Sequence, residues 1–226
     1  ALLKLLEESQ ADVMALQEVT PWFLESLAKE KWIKAYQCAT INGERRTPGG
    51  QALLSKLPIE KSTCKTLPGP QKRDVLVATF KWDKRTLAVA TTHMESLLED
   101  GPIRTKQLGV IFSLLREADD AVLLGDLNFG DGEKPETPRL DKDFLDLWLE
   151  LRPKDPGHTW NIETSDMARK GSFKGEKSRR LDRILIRSDV WKPKEILIIG
   201  DSPVTPGKKD LFPSDHFGLR GTAQCQ

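Results

Sequence analysis

Three short segments of this 226-residue chain carry polar side chains that could bind a metal ion and a phosphate. Glu18 follows one apolar run, Asp126 and Asn128 follow a second, and Asp215 directly precedes His216 near the end of the sequence. A carboxylate at the end of a buried strand suits a hard, oxygen-seeking cation such as Mg²⁺ or Mn²⁺. The ordered set therefore predicts a metal-dependent phosphoesterase.

The spacing of these residues suggests a role for each. Asp126 and Asn128 alternate around one residue, so both side chains can point the same way: Asp126 to polarise the attacking water and Asn128 to hold a phosphate oxygen. Asp215 can fix the tautomer of His216, leaving the other ring nitrogen to face the phosphate. The competing interpretations are a turn stabilised by local hydrogen bonds and a structural histidine.

Further polar candidates lie between these segments. His93 ends an apolar run and could donate a hydrogen bond to a non-bridging phosphate oxygen, and Ser96 could add a hydroxyl contact. Asp182 could orient either His93 or His216, and we assign Asp182 and Arg180 to the substrate-binding side of the site. A surface cluster of arginine and aspartate, worth little energetically, is the alternative for this pair.

Two features favour nucleic acid as the substrate. An exposed Trp160 at a cleft edge could stack on a base, although a buried core tryptophan fits its context equally well. A local run of basic residues, opposed within it by Glu176 and Asp182, could follow a nucleic-acid backbone, with a solvated loop as the alternative. The basic residues are Arg169, Lys170, Lys174, Lys177, Arg179, Arg180, Arg183 and Arg187.

Composition limits the class of protein. The chain is 38% hydrophobic and 31% charged with a net charge of +1, which is typical of a soluble globular domain without a global basic field. Its length favours one domain, and no apolar run is long enough to cross a bilayer. Cys38, Cys64 and Cys225 are odd in number and far apart, which argues against a disulfide framework or a thiolate zinc site.

Hydrophobic periodicity predicts a mixture of hairpin strands and helices. Residues 75–82 and 86–92 alternate as two strands of a hairpin, and residues 103–117 have helical spacing. Buried strands are expected at residues 12–16 and 121–124, a strand at residues 181–187, and a further helix at residues 143–151. Because strands and helices do not alternate strictly, we expect two mixed or antiparallel sheets packed face to face with helices outside.

The chain resembles the endonuclease/exonuclease/phosphatase superfamily, and within it the 5′-tyrosyl-DNA phosphodiesterases. The resemblance implies an α/β fold, a four-layer sandwich of two packed mixed β-sheets flanked by helices (DNase I-like). It also implies Mg²⁺ dependence, with Mn²⁺ as an alternative, and nuclear DNA repair through release of trapped topoisomerase II. The segments that carry it are Leu16-Gln17-Glu18, Thr92-His93-Met94-Glu95-Ser96, Gly125-Asp126-Leu127-Asn128, Thr159-Trp160-Asn161, Arg180-Leu181-Asp182-Arg183-Ile184 and Phe212-Pro213-Ser214-Asp215-His216.

On this resemblance, residues 1–226 form one catalytic domain in which Glu18 holds Mg²⁺ and the partner is a DNA 5′ end carrying a tyrosine or peptide adduct. We expect a monomer without membrane contact, in the nucleus or also in the cytoplasm. Two departures are expected to matter: the family's first strand, with its Thr-x-Asn motif, is absent from this sequence, and Gly130 stands where relatives can carry a basic residue. A related nuclease or phosphatase, or a non-catalytic domain that binds DNA ends, are the alternatives.

Overall fold

The computed structural model describes residues 1–40, 50–208 and 210–225 of the chain. The helices within these ranges are α1 (Leu2–Ser9), α2 (Pro21–Leu27), α3 (Gly101–Leu115), α4 (Leu147–Leu151) and α5 (Asp166–Gly171). The strands are β1 (Val13–Val19), β2 (Gln37–Thr40), β3 (Gly50–Ser55), β4 (Lys61–Thr66), β5 (Asp74–Trp82), β6 (Arg85–His93), β7 (Asp120–Asp126), β8 (Leu145–Asp146), β9 (Asp182–Arg187), β10 (Trp191–Ile199) and β11 (Gly218–Cys225).

The central layer is a six-stranded sheet in the order β4-β5-β6-β7-β9-β8. β5 and β6 form the predicted hairpin, with Val75 opposite Thr92 and Trp82 opposite Arg85. β6 and β7 run parallel, and α3 lies in the crossover connection that parallel neighbours require. All the other pairings in this sheet are antiparallel, so the sheet is mixed as expected.

Helix α3 covers one face of the central sheet. Its Leu108, Ile111 and Leu115 are fully buried and pack in one cluster with Ala121 and Leu123 of β7. These leucine and isoleucine positions recur at the three- and four-residue spacing of a helix face, which is why the sequence predicted the helix. Alternate residues of β7 point to the opposite face, where the second layer packs.

The three-stranded sheet β1-β3-β2 packs on that opposite face. Leu53 of β3 contacts the cluster that contains Leu76 of β5, whereas its neighbour Leu54 faces outward. On the outer side Leu54 packs with Leu6 of α1 and Leu27 of α2. The order of layers is therefore helix, sheet, sheet, helix, which confirms the predicted four-layer sandwich.

The second layer also contains a separate two-stranded sheet, β10-β11. Ile196 of β10 packs with Ile186 of β9 and Trp148 of α4. Val122 of β7, which is partly buried, contacts both this cluster and the cluster beneath the three-stranded sheet. The face of β7 that carries Val122 thus packs against the clusters of both small sheets.

Two local predictions need correction. Residues 143–151 do not form one helix, because Leu145–Asp146 pair with β9 and the helix begins only at Leu147. Asp146 caps that helix by accepting hydrogen bonds from Trp148 N and Leu149 N, which explains the late start. Helix α5 was not predicted. Among the described helices none is long and apolar enough to cross a membrane.

Candidate active site

The ends of three neighbouring strands place acidic and histidine side chains in one row. In the parallel pair β6-β7, His93 lies opposite Asp126, and in the antiparallel pair β7-β9, Asp126 lies opposite Asp182. Residues directly opposite each other in a sheet project from the same face, with strands about 4.8 Å apart. Sheet register alone therefore brings together residues that are far apart in sequence.

Glu18 and His216 extend this row at its two ends. His93 Nδ1 lies 3.7 Å from Glu18 Oε1, and His93 Nε2 lies 3.4 Å from Asp126 Oδ2. On the other side, Asp126 Oδ2 lies 4.0 Å from His216 Nε2, and His216 Nδ1 lies 2.8 Å from Asp182 Oδ2. The structure thus brings Glu18, His93, Asp126, Asp182 and His216 into one continuous array.

Glu18 reaches the array through an irregularity in β1. The register between β1 and β3 shifts between Leu16 and Val19, and Glu18 adopts a φ of 54°. Left-handed backbone at a non-glycine residue costs about 1–3 kcal/mol and must be imposed by its surroundings. Gln17 Nε2 anchors the segment by donating to Thr91 Oγ1 at 2.7 Å. The carboxylate of Glu18 is 58% exposed, so it is open to a ligand beside the buried His93.

Asp182, rather than Asp215, orients His216. The 2.8 Å hydrogen bond joins His216 Nδ1 to Asp182 Oδ2. Asp182 is itself fixed because its backbone N–H donates to Thr159 Oγ1 at 3.0 Å. The residue after His216 is tied to the same segment, since Phe217 N donates to Thr159 O at 2.8 Å. These bonds hold the imidazole against the start of β9.

The predicted role of Asp215 is therefore wrong. Its Oδ1 accepts a hydrogen bond from Ser214 Oγ at 3.2 Å, and Ser214 Oγ in turn accepts from the backbone N–H of His216 at 3.3 Å. This local turn directs the Asp215 carboxylate to its own loop. Asp215 acts on His216 through its charge, since it contributes to raising the pKa of that histidine.

The two histidines have opposite pKa shifts. Burial alone lowers the pKa of His216, but the charge of Asp182, its hydrogen bond and the charge of Asp126 raise the pKa to about 10. The pKa of His93 is lowered. Burial is the largest cause and the positive charge of Arg73 adds to it, and together they outweigh the negative charge of Asp126, which raises the pKa. At neutral pH, His216 is an imidazolium and His93 is neutral. Such a separation of pKa values assigns different roles to like groups.

Asn128 ties two segments of the site together. Its side-chain amide donates to Met94 O at 2.9 Å, and its backbone N–H donates to Asp126 Oδ1 at 2.8 Å. Its φ of 57° lies in the left-handed region that asparagine tolerates better than most residues. One amide hydrogen is thus committed to the fold, and the predicted contact to a phosphate oxygen would use the other.

Comparison with known sequences decides the family. The sequence model of the Endonuclease/Exonuclease/phosphatase family matches residues 1–216. The chain belongs to the endonuclease/exonuclease/phosphatase family. The predicted resemblance is thereby confirmed at the level of the family.

Individual relatives agree with this assignment. The chain is 27% identical over 217 residues to tyrosyl-DNA phosphodiesterase 2 of Mus musculus, and 28% identical over 220 residues to the protein of that name from Xenopus laevis. Each alignment covers 92% of this chain and 56% of the relative, so the chain spans about half the length of these curated relatives.

Solved structures show the same fold. TDP2 from D. rerio, complexed with single-strand DNA product, superposes with a TM-score of 0.83 at 24% identity, covering 99% of this chain and 90% of that one. The catalytic domain of human Nocturnin, with a bound sulfate anion, gives a TM-score of 0.67 at 17% identity, covering 98% and 86%.

The endonuclease/exonuclease/phosphatase site offers oxygen donors for a metal ion. Ligand atoms of Asp126, Asp182 and His216 lie within 4.8 Å of one another, among the residues that the structure describes. The raised pKa of His216 opposes coordination through its nitrogen, because a metal ligand must be deprotonated. The carboxylates, with the exposed Glu18 the most accessible, fit a hard divalent cation.

The structure adds Arg73 and Gln71 to the site, which sequence reasoning missed. Arg73 Nη2 donates to Gln71 Oε1 at 2.9 Å, and that oxygen also accepts from the Ser96 hydroxyl at 3.2 Å. Burial lowers the pKa of Arg73, while the charges of Asp126 and other site carboxylates raise it, which places this cation beside them. These bonds connect Ser96 to Gln71 and Arg73, and no sequence motif marks residues 71–73.

Trp160 does not present an exposed indole, so that expectation is wrong. Its side chain is buried against Ala168 and Leu181. Its ring lies 4.9 Å, centroid to centroid, from the imidazole of His216. Trp160 therefore packs against the His216 ring. The alternative interpretation, a buried tryptophan, is the one that the structure shows.

The predicted substrate contact of Arg180 is also wrong, and the predicted basic strip is exposed only in part. The side chains of Arg180 and Arg183 are buried in ion pairs, and Arg187 donates to backbone carbonyls, including Ala118 O at 2.7 Å. Four members of the strip remain exposed: Arg169, Lys170, Lys174 and Lys177.

Proposed function

We propose that this chain is the catalytic domain of a Mg²⁺-dependent phosphodiesterase that hydrolyses 5′-phosphotyrosyl bonds at DNA ends, releasing trapped topoisomerase II. The observation that carries the proposal is the array of Glu18, His93, Asp126, Asp182 and His216, with two carboxylates bracketing each histidine. It is supported by curated relatives named tyrosyl-DNA phosphodiesterase 2 and by the D. rerio structure with a DNA product.

Each member of the array has a chemical role in this reaction. Asp126 accepts the proton of the attacking water, because its carboxylate lies between both histidine rings. His216, protonated and held by Asp182, stabilises the charge that develops on the phosphate oxygens. Neutral His93 donates a hydrogen bond to a non-bridging oxygen, and Asn128 and Ser96 add further contacts. A Mg²⁺ or Mn²⁺ ion held by Glu18 would supply charge neutralisation.

The bond changes are balanced without a further reactant. The water oxygen bonds to phosphorus as its proton passes to Asp126, the bond from phosphorus to the tyrosine oxygen breaks as that oxygen takes a proton from His216, and the DNA keeps a 5′-phosphate. Return of the proton from Asp126 to His216, whose Nε2 lies 4.0 Å from Asp126 Oδ2, restores both residues. The tyrosine phenol has an ordinary pKa of about 10. Since the pKa of His216 is also about 10, proton transfer from His216 to the departing oxygen is close to balanced in free energy.

We also propose the setting of this activity. The substrate is a DNA 5′ end with a tyrosine or peptide adduct, and the protein acts as a monomer in the nucleus, with the cytoplasm as a second location. Residues 1–226 act as a single catalytic domain.

The test is Mg²⁺-dependent release of tyrosine from an oligonucleotide with a 5′-phosphotyrosyl end. We expect Glu18→Gln and His216→Gln each to lower the rate at least ~100-fold, in the range of lost charge stabilisation. Glu25→Gln is the matched control, because Glu25 is an exposed glutamate on the next helix. Wild-type rates for Glu18→Gln, or equal release in EDTA, would overturn the metal-dependent mechanism.

Two other outcomes would redirect the assignment. A folded protein that leaves the phosphotyrosyl bond intact but cleaves abasic DNA, RNA or a phosphate monoester would be a related nuclease or phosphatase. A folded protein that binds DNA ends without cleaving any phosphodiester would be a binding domain.

A further inference from the structure

Two buried arginines flank Asp182 and share the same pair of carboxylates. The side chains of Arg180 and Arg183 are 0% and 1% exposed. Both contact Asp131 Oδ1, at 2.5 and 2.8 Å, and both contact Asp146 Oδ2, at 2.9 and 3.0 Å. We call Asp131, Asp146, Arg180 and Arg183 the four-residue ion cluster.

The ion cluster joins the two segments that carry the catalytic carboxylates. Asp131 lies on the loop that leaves β7 just after Asp126, and Arg183 also donates to Phe129 O on that loop at 3.2 Å. The guanidinium of Arg183 lies 4.9 Å from the centroid of the Phe129 ring. The pairing of Asp126 with Asp182 ends the β7-β9 ladder, and beyond it the backbone bond from Leu127 N to Leu181 O at 3.0 Å and the ion cluster join the two segments.

Stability alone does not explain such a cluster. Burying two guanidinium groups carries a desolvation cost, and well-packed apolar residues of similar size are often as stabilising as a buried ion pair or more so. What charge pairs add is a fixed geometry, because each planar guanidinium donates its N–H groups to the carboxylates in set directions. Burial raises the pKa of Asp131, but hydrogen bonds and charge from Arg180 and Arg183 lower it, so Asp131 is ionised at neutral pH.

We propose that Asp131 is a positioning residue, which through Arg180 and Arg183 fixes the Asp182 carboxylate and so the orientation of the His216 ring. Asp131 is the exposed member of the cluster, at 38%, and it needs no contact with substrate to act. The expected effect on kcat rests on the proposed function, whereas the expected effect on the orientation of His216 is independent of it.

The test compares Asp131→Asn with Asp120→Asn. Asp120 is a matched control: it lies at the other end of β7, is 1% exposed, and pairs with Arg85 at 2.7 Å. For Asp131→Asn we expect kcat to fall ~10–100-fold with KM changed less than about twofold, as when an interaction specific to the transition state is weakened. We also expect the downfield NMR resonance of the His216 Nδ1 proton to move or broaden. Asp131→Glu, which keeps the charge, should restore part of both signals.

Asp120→Asn should lower the melting temperature without changing kcat or the His216 resonance. Unchanged kcat and an unchanged His216 resonance in Asp131→Asn would overturn the proposal and leave the cluster a structural one. If Asp131→Asn does not fold, Asp131→Glu and Arg183→Lys take its place, and a wild-type resonance in both would be equally decisive. If the wild-type chain releases no tyrosine, the proposed function fails, while the resonance still tests the positioning.

Discussion

Replacing Asp182 by asparagine should lower the pKa of His216 from about 10 into the physiological range, so that a substantial fraction of the imidazole becomes neutral near pH 7. The carboxylate of Asp182 gives His216 its hydrogen bond at 2.8 Å and the largest favourable charge. A carboxamide keeps the shape of the side chain but removes the charge. The parallel variant Asp215→Asn removes a carboxylate that is adjacent in sequence but bonded to Ser214.

The size of the effect follows from the pKa. A rise from 6.5 to about 10 corresponds to ~5 kcal/mol in favour of the imidazolium, at 1.36 kcal/mol for each tenfold change in proton affinity. Loss of a close opposite charge and its hydrogen bond lowers a pKa by about 2–3. We therefore expect Asp182→Asn to bring the pKa of His216 to roughly 7–8 and to cost ~3 kcal/mol of folding stability at pH 7. Asp215→Asn should lower that pKa by less than about 0.5.

The sign of the pH dependence is fixed by the raised pKa. Stabilisation from protonated His216 is fully present below pH 6.5 and is lost as pH rises through about 10. The NMR titration of the imidazole C–H protons in metal-free buffer measures the pKa directly, and the chain has just three histidines to assign. A wild-type pKa near 6.5, or equal shifts in Asp182→Asn and Asp215→Asn, would refute the reasoning. Denaturant unfolding at pH 7 and pH 10 checks the loss of stability.

Four further substitutions test the fold and the site. Gly125→Ala should destabilise the protein by ~3 kcal/mol or more in denaturant unfolding, because its φ is 143° and a Cβ would lie 2.1 Å from Thr92 O. Gly109→Ala is the control: it has open space around it and should stabilise α3 by ~0.5–1 kcal/mol. A similar loss of stability in both variants would contradict this reasoning. Leu108→Ala should cost ~2–5 kcal/mol in the same assay, since it opens a cavity in the core, and a loss below 1 kcal/mol would contradict full burial. Glu18→Ala should leave the melting temperature within a few degrees of wild type, because its side chain is 58% exposed, while Mg²⁺-dependent activity is lost.

The sequence was sufficient to predict the layers and the convergence of Glu18, His93, Asp126 and His216. Each of these residues follows or precedes a run whose apolar pattern marks a strand or its edge, and strand ends gather at one edge of a sheet. Helix α3 was predicted because its buried positions have helical period. The short strand β8 was not, since two residues give no period and its pairing with β9 is set by tertiary contacts.

The errors concern which polar groups meet across long separations. Asp215 adjoins His216 in sequence, but the partner in space is Asp182, which β9 delivers. Arg180 was placed at the substrate because nothing local reveals that Asp131 and Asp146 neutralise it. Arg73 was missed because it reaches the site from the loop before β5, without a motif. Which charged residues pair with each other depends on which strands and loops are neighbours in the fold, and a single sequence does not show that.

The two histidines are both buried, and the strength of their contacts with carboxylates decides whether burial prevails. His93 lies at 3.4 and 3.7 Å from its two carboxylates and beside the Arg73 cation, whereas His216 has a direct hydrogen bond to Asp182 at 2.8 Å. The carboxylate of Glu18 partly supports protonation of His93 but has no direct contact with His216.

A divalent cation at Glu18 should therefore lower the pKa of His93 further and leave His216 protonated, because Asp182 shields it. Titration of the histidine resonances with and without Mg²⁺ measures both shifts. Equal shifts at His93 and His216 would place the cation nearer Asp126 than Glu18. A shift confined to His93 means that cation binding reinforces the division between a neutral and a charged histidine on which the proposed hydrolysis depends.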